Sequence, residues 1–362
     1  MWIGLFPELS EVGGIQQVSR HAGGVLLKMA RERNLPCQLL GFNDARGLGS
    51  FRVGLEEYSF RGFGRDKLAL VSFLLRAVPQ LEVLYIGHVN LAPLGLLLRL
   101  VRPRIKYWVV AHGIEVWQPL PILRRFALRQ AWGVLSVSAY TANQMIGSQK
   151  LNPQKVFLLP PALDPSFMQA VCQENTLPQS GRMLLTVGRL ISAEPGKGVD
   201  SVIQVLPEVL KDVPDLFYVI IGGGDLQARL EELGRESPAR GRILFVGKLT
   251  LEQLKHYYSR SDIFVMPSRQ EGFGLVFLEA MSLGKPVIAG DRGGAPEIVQ
   301  DGVTGFLVNP DNHEALTDRL SQLLQDEPLR RRMGDAGRRR VEENYTFAHF
   351  EERLMHILET AN

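Results

Sequence analysis

Residues 263–279 read Ile263-Phe-Val-Met-Pro-Ser-Arg-Gln-Glu271-Gly-Phe-Gly-Leu-Val-Phe-Leu-Glu279. The first four are apolar without alternation, as in a strand buried on both faces. Pro267 and Ser268 end that strand, Gly272 and Gly274 allow a tight turn, and from Leu275 through Ala280 and Met281 the residues favour a helix. A strand that passes through a glycine turn into a helix is the repeating unit of a doubly wound α/β sheet. It aims a helix N-terminus, with unpaired backbone N–H groups near Gly274, Leu275 and Val276, at whatever lies beyond the strand, and such groups take sugar hydroxyls or phosphate oxygens. Glu271 precedes the helix and Glu279 lies one to two turns inside it, so the two carboxylates could meet two ends of an elongated ligand. The blander alternative makes Glu271 a favourable anion at a helix N-terminus and Glu279 a solvent-facing residue.

The same alternation extends outward. Downstream of a polar stretch, strands are expected at Met183 to Val187, Phe217 to Ile221, Arg242 to Val246, Ile263 to Met266, Pro286 to Ala289 and Gly305 to Val308, separated by helical patterns. Upstream, strands are expected at Trp2 to Phe6, Gln38 to Phe42, Val83 to Gly87, Lys106 to Ala111, Gly133 to Val137 and Val156 to Leu159. Between the two sets, Asp164 to Gly181 loses periodicity and gathers proline, glutamine and glycine, the composition of a linker. The expectation is an α/β protein of two doubly wound domains, residues 1–170 and 171–345, with a polar C-terminal helix over 346–362 crossing back to the first.

The 362 residues are 45 % hydrophobic and 22 % charged, which excludes collagen-like, disordered and disulfide-scaffold classes. Cys37 and Cys172 stand far apart with no metal-ligand spacing, as in a reducing compartment. Trp2 to Phe6 meets Pro7 and Glu8 at once and reads as a first strand, not a signal peptide. The apolar stretch from Val83 to Val101 is interrupted by His88, Asn90, Pro93 and Arg99, well short of the roughly 18 to 20 residues of a spanning helix. The net charge of +3 averages two unlike halves: residues 1–170 carry 19 Lys and Arg against 10 Asp and Glu, and residues 171–362 carry 22 against 28. Arg99, Arg102, Arg104, Lys106, Arg124, Arg125 and Arg129 face one acid, Glu115, with leucines and tryptophans among them. That segment is either a solvated rim or a surface that leans on anionic lipid.

Phe217 to Ile221 runs into Gly222-Gly223-Gly224-Asp225, yet position 227 is Gln, so the GxGxxG dinucleotide fingerprint is not met, and no P-loop is present. Arg189 and Lys197 are expected at the carboxyl edge of the second sheet, where two cations suit a diphosphate. His88 and His349 read as structural, and Arg330 to Arg332 and Arg338 to Arg340 as exposed helix faces.

Gly188-Arg189-Leu190, Gly196-Lys197-Gly198, the triple glycine with Asp225, Asp262, Glu271 with Glu279 eight positions on, Gly284-Lys285-Pro286-Val287 and Gly293-Gly294 together resemble the family 4 retaining glycosyltransferases of GT-B fold. The match runs over residues 183–309 and is looser upstream. There Gly13-Gly14 is similar to the family's acceptor-side glycine loop, and His112-Gly113-Ile114-Glu115 to its HG(x)(D/E) segment. Leu190 to Gly196 is longer than the family's usual spacing, so Lys197 must be brought back by a bulge, and Pro160-Pro161-Ala162 replaces a common Pro-Asn-Gly turn.

The resemblance implies two Rossmann-like domains facing each other across a cleft. It implies that His112, Arg189, Lys197 and Glu271 act in catalysis. It makes Gly14, Arg189, Lys197, Gly223, Lys248, Leu249, Glu271, Gly272, Phe273, Gly274, Leu275, Val276 and Glu279 the donor-binding set, with Arg189 and Lys197 on the diphosphate and Glu279 on the ribose. The chain has no Asp-x-Asp pair, so metal-independent catalysis with no cofactor is expected. The expected reaction moves a hexose, first glucose from UDP-glucose and second mannose from GDP-mannose, to a saccharide or lipid-linked saccharide of bacterial envelope or exopolysaccharide assembly. The expected place is the cytoplasm, with peripheral contact to an anionic membrane and no nucleic acid partner. The alternatives are another GT-B enzyme, such as a sugar-phosphate synthase or nucleotide-sugar epimerase, and a non-catalytic nucleotide-sugar binder.

Overall fold

The computed structural model describes residues 1–168, 181–192 and 196–360. Cys172, most of the expected linker and residues 193–195 lie outside the described residues. The chain forms two compact units, Met1–Ser166 with Thr346–Asn362, and Phe167–Tyr345. Phe167 belongs to the second because its ring packs edge-on against Tyr258 at 5.9 Å.

The first unit is built on β1 (Trp2–Phe6), β2 (Cys37–Gly41), β3 (Gly47–Val53), β4 (Glu56–Gly62), β5 (Val83–Ile86), β6 (Lys106–Ala111), β7 (Gly133–Ser136) and β8 (Val156–Leu158). Their order in the sheet is β3-β4-β2-β1-β5-β6-β7-β8. β1, β5 and β7 are buried along their whole length, as strands covered on both faces must be. One face packs against helices Lys67–Ala77, Ala92–Val101 and Ile122–Gln130, and the other against Gly14–Glu32 and Phe347–Thr360.

The expectation of purely parallel pairing fails at one edge. β3 and β4 form an antiparallel hairpin absent from the expected strands. Phe51, Val53, Tyr58 and Phe60 turn to the core, while Leu48, Arg52, Glu56 and Glu57 are exposed, so the sequence lacks the apolar run that marked the inner strands. Its two-residue loop places Gly54 at φ +59 in the first position, a conformation that favours glycine.

Helix Phe347–Thr360 is an integral part of the first unit. Phe350, Leu354, Ile357 and Leu358 are buried at helical spacing against Val18, Val25 and Met29. Lys28 pairs with Glu351 at 2.9 Å and Arg33 with Glu359 at 2.7 Å along the rim. The ring of His21 lies edge-on to Phe347 and Phe350.

The second unit has β9 (Met183–Val187), β10 (Phe217–Ile221), β11 (Ile243–Gly247), β12 (Ile263–Met266), β13 (Val287–Gly290) and β14 (Gly305–Val308). All pairings are parallel in the order β11-β10-β9-β12-β13-β14. Numbered within the unit this is 3-2-1-4-5-6, whose winding reverses between β9 and β12, and ligands of such sheets bind at that reversal. Two arginines expected on exposed helix faces are structural instead. Arg330 is buried and donates to the carbonyls of Leu323 and Leu324 at 2.6 and 2.8 Å, closing the C-terminus of helix His313–Gln325. Arg340 likewise holds the carbonyls of Ile298 and Glu297.

If Phe347–Thr360 is a core element, Phe350→Ala destabilises the protein by about 3–5 kcal/mol, the range for a buried Phe. The urea midpoint measures it, and a loss no larger than that of a rim substitution such as Glu359→Gln would show that this helix is dispensable.

Candidate functional site

Lys197 and Glu271 follow β9 and β12, the two strands at the reversal of the second sheet. Their side chains meet: Lys197 Nζ lies 2.9 Å from Glu271 Oε2, with the two side chains only 15 % and 12 % exposed. The segment after β9 returns to the sheet through Gly196 at φ +87 and Gly198 at φ +78. A Cβ on Gly198 would stand 2.4 Å from the Pro267 carbonyl, so this crossing requires glycine. Arg269 fastens the same crossing: its N–H donates to the Gly196 carbonyl at 2.7 Å, and its guanidinium reaches Asp311 at 2.9 Å and Asp200 at 3.3 Å.

From the other side, Gly293 and Gly294 press on the loop after β12. The N–H of Gly294 donates to the Glu271 carbonyl at 2.7 Å, and Cβ atoms at 293 and 294 would stand 2.4 and 2.5 Å from the carbonyls of Glu271 and Gly272. Helix Leu275–Ser282 then starts from Gly274 at φ +105. Phe273 is buried and its ring packs on Tyr345, so its side chain serves packing and leaves the backbone as its contribution to the site.

Glu279 is neither free nor merely solvent-facing. Tyr258, fully buried on helix Leu251–Arg260, donates its hydroxyl to Glu279 Oε2 at 2.6 Å. Burial and the neighbouring carboxylate push the phenol pKa well above its usual value, so it remains a donor. Sequence reasoning missed Tyr258 because a large aromatic on an amphipathic helix reads as core, and the pairing spans 21 residues and two helices.

Arg189 is exposed two residues beyond β9. Leu190 N–H donates to the Gly223 carbonyl at 3.1 Å, and Gly222 could carry no side chain, because a Cβ would lie 1.8 Å from the Gly188 carbonyl. Lys248, just past β11, lies beside Gly223, about 3.8 Å from where a Cβ would stand. Leu249 follows it, half-buried. The carboxyl edge of this sheet thus presents Arg189, Lys197 and Lys248 with Glu271 and Glu279, an arrangement suited to an anion joined to a polyhydroxylated group.

In the first unit the winding reverses between β1 and β5. A pocket of about 550 Å³ occupies that reversal, with Glu8, Gln16, Asn43, Lys67, His88 and Arg124 among its polar residues and Leu70, Leu91 and Leu94 among its apolar ones. Gly14 opens helix Gly14–Glu32 beside it. His112 follows β6. Its Nε2 donates to the Gly87 carbonyl at 2.7 Å, which leaves Nδ1 as an acceptor, and Glu115 accepts from its backbone N–H at 2.5 Å. His88, which reads as structural in the sequence, stacks its ring on His112 with centroids 5.7 Å apart. Burial, then His112 and Arg124, pull the His88 pKa down to about 3, and burial lowers that of His112.

These shifts carry a sign. His88 is neutral when folded and takes a proton at its ordinary value of 6.5 when unfolded, so its contribution is lost as pH falls from 6.5 towards 3. The urea midpoint is expected to drop over that range, and His88→Gln to drop less from pH 7 to pH 5. Equal slopes for the two proteins would show that His88 does not carry the effect.

The family described as Glycosyl transferases group 1 matches residues 169–340. The chain is 32 % identical over 300 residues to a GDP-mannose-dependent alpha-(1-6)-phosphatidylinositol monomannoside mannosyltransferase of Mycolicibacterium smegmatis, covering 77 % of this chain and 76 % of the relative. It is 30 % identical over 307 residues to an N-acetyl-alpha-D-glucosaminyl L-malate synthase of Bacillus anthracis, covering 81 % and 79 %. A sucrose-phosphate synthase structure from Thermosynechococcus elongatus superposes with a TM-score of 0.80 at 21 % identity over 99 % of this chain and 98 % of that one, a likeness of fold. With its two Rossmann-like sheets and its cations and carboxylates at the reversal of the second, the chain belongs to the group 1 glycosyltransferases, of family 4 type and GT-B fold.

Proposed function

We propose that this glycosyltransferase moves a hexose, with retention and without a metal, from a nucleoside diphosphate to a hydroxyl of a saccharide or lipid-linked saccharide. The observation that carries the donor side is the Lys197–Glu271 pair at the sheet reversal. An ammonium has three donors, so Lys197 keeps Glu271 and still offers N–H groups to a phosphate oxygen. Arg189 and Lys248 supply further positive charge, and these fixed cations stabilise the charge that develops on a departing diphosphate. Glu279, held by the Tyr258 hydroxyl at 2.6 Å, accepts from ribose hydroxyls in this proposal.

A carboxylate in a close ion pair is a poor nucleophile, which disfavours a covalent intermediate on Glu271. The bond from the anomeric carbon to phosphate therefore breaks, and the bond to the acceptor oxygen forms, on one face of the sugar. The acceptor proton passes to the leaving phosphate oxygen. Relatives named as GDP-mannose-dependent mannosyltransferases support a preference for GDP-mannose over UDP-glucose as donor, the reverse of the order drawn from the sequence.

A panel of nucleotide sugars, followed by donor hydrolysis with and without excess EDTA, tests the reading. GDP-mannose is expected to turn over fastest, unaffected by EDTA, and Arg189→Ala to slow it by about 10² to 10³, the cost of one electrostatic donor. Preference for a UDP-sugar would overturn the donor assignment, loss in EDTA the metal-free chemistry, and absence of turnover with every donor would leave a nucleotide-sugar binder.

Tyr258→Phe keeps the buried ring and removes one hydrogen bond to a charged group, worth about 1.5–3 kcal/mol. The donor KM is expected to rise roughly tenfold or more, with a smaller change in kcat. An unchanged KM would detach Glu279 from donor binding.

A further inference from the structure

Helices Lys67–Ala77, Ala92–Val101 and Ile122–Gln130 cover one face of the first unit's sheet, side by side. Each buries one side against the strands: Leu70 and Leu74, Leu96 and Leu98, Ala127 and Leu128. A helix in that position normally turns a polar side to water. These three instead carry a second apolar stripe. Leu97, Leu100 and Val101, at i, i+3 and i+4, are 38, 73 and 56 % exposed. Ile122, Leu123 and Phe126 are 79, 59 and 50 % exposed, and Leu68 and Leu75, two turns apart, 84 and 41 %. Single exposed leucines are ordinary, whereas such stripes on three neighbouring helices mark an interaction surface.

The charge of this face is one-sided. None of the three helices contains Asp or Glu, while they contain Lys67, Arg76, Arg99, Arg124, Arg125 and Arg129. Arg99 and Arg129 are engaged with the backbone carbonyls of Gln130 and Gln149. Among the described residues no carboxylate pairs with Lys67, Arg76, Arg124 or Arg125. Beside helix Lys67–Ala77 a recess of about 440 Å³ is lined by Arg46, Arg61 and Arg76 together with Ser72; Arg46 is paired at 3.7 Å with Asp66, which caps the helix, and the guanidinium forks of Arg61 and Arg76 match phosphate.

We propose that this face docks the protein on an anionic phospholipid bilayer, the apolar stripes entering the boundary between headgroups and acyl chains and the arginines holding lipid phosphates. A soluble polyanion would satisfy the arginines and leave the apolar stripes in water. A second copy of the same face would set arginines against arginines. No described helix is long and apolar enough to cross a membrane, so the contact is peripheral. Lys67, Leu94 and Arg124, on the same three helices, also line the 550 Å³ pocket. On the transferase reading above, an acceptor bound there lies next to the lipid surface.

The test mixes the full chain with vesicles of phosphatidylcholine alone or of phosphatidylcholine with phosphatidylglycerol, measures pelleted protein across a salt series, and follows donor hydrolysis on the same preparations. Binding is expected to the mixed vesicles, to fall with salt and to be weak on phosphatidylcholine alone. The double variant Arg76→Gln/Arg125→Gln is expected to bind about tenfold to thirtyfold more weakly, as loss of two surface charges implies. The triple variant Leu100→Gln/Ile122→Gln/Phe126→Gln is expected to lose binding with its melting temperature and donor hydrolysis unchanged. Binding to neither vesicle, or equal binding by all three proteins, overturns the proposal. So does a dimer in sedimentation that the triple variant dissolves, since a second copy then covers the face. Protein that hydrolyses donor but ignores vesicles overturns only the docking, and protein that docks without hydrolysing any donor overturns only the transferase reading of the site.

Discussion

The ion pair between Lys197 and Glu271 joins the two loops at the reversal of the second sheet, and the surrounding backbone is arranged to permit it. Both groups are largely withdrawn from water, where an unpaired charge is costly, so each requires the other. For Lys197 to arrive, the chain must turn back across Pro267 at a separation only glycine tolerates, and Arg269 must hold the crossing against Asp200 and Asp311. For Glu271 to be met, its own backbone must rest on Gly293 and Gly294. The glycines conspicuous in the sequence are therefore points where two loops touch, and the cations and carboxylates are placed as a result.

Both units apply one topological rule to different chemistry. In each, the winding of a parallel sheet reverses next to its first strand, and the diverging loops leave an opening there. The second unit fills its opening with Arg189, Lys197, Lys248 and two carboxylates, a set suited to a charged and hydroxylated ligand. The first has a pocket of about 550 Å³ with an apolar wall, and the stacked His88 and His112 lie at its sheet edge, both depressed in pKa by burial and so uncharged near neutrality.

Much of the second unit was legible because its strands are short, uninterrupted apolar runs ended by glycine or proline, a pattern that burial on both faces produces. The β3–β4 hairpin was not, since a strand with one wet face offers apolar residues only at alternate positions and no uninterrupted apolar run. Side-chain partnerships were the least legible. Arg330 looks like any other residue in an arginine run until its helix is seen to end the one before it. Tyr258 is read as core, which it is, while its hydroxyl reaches a carboxylate on another helix. Phe273 sits in the most informative stretch of the chain and turns away from it, because Tyr345 offers its ring a better contact than water does.

The sequence by itself determined the class of fold, the position of each strand of the second sheet, and the residue types at its carboxyl edge, because burial periodicity and turn chemistry are local properties. Only the tertiary structure decided that Lys197 closes on Glu271, that Tyr258 holds Glu279 and that His88 lies on His112. Each of those contacts joins residues more than 20 positions apart, and their distances depend on how strands are ordered in a sheet, which no local pattern encodes. The same holds for the three acid-free helices. Their apolar and basic residues are visible one by one in the chain, but whether they face the core or the surroundings is set by the sheet on which all three lie.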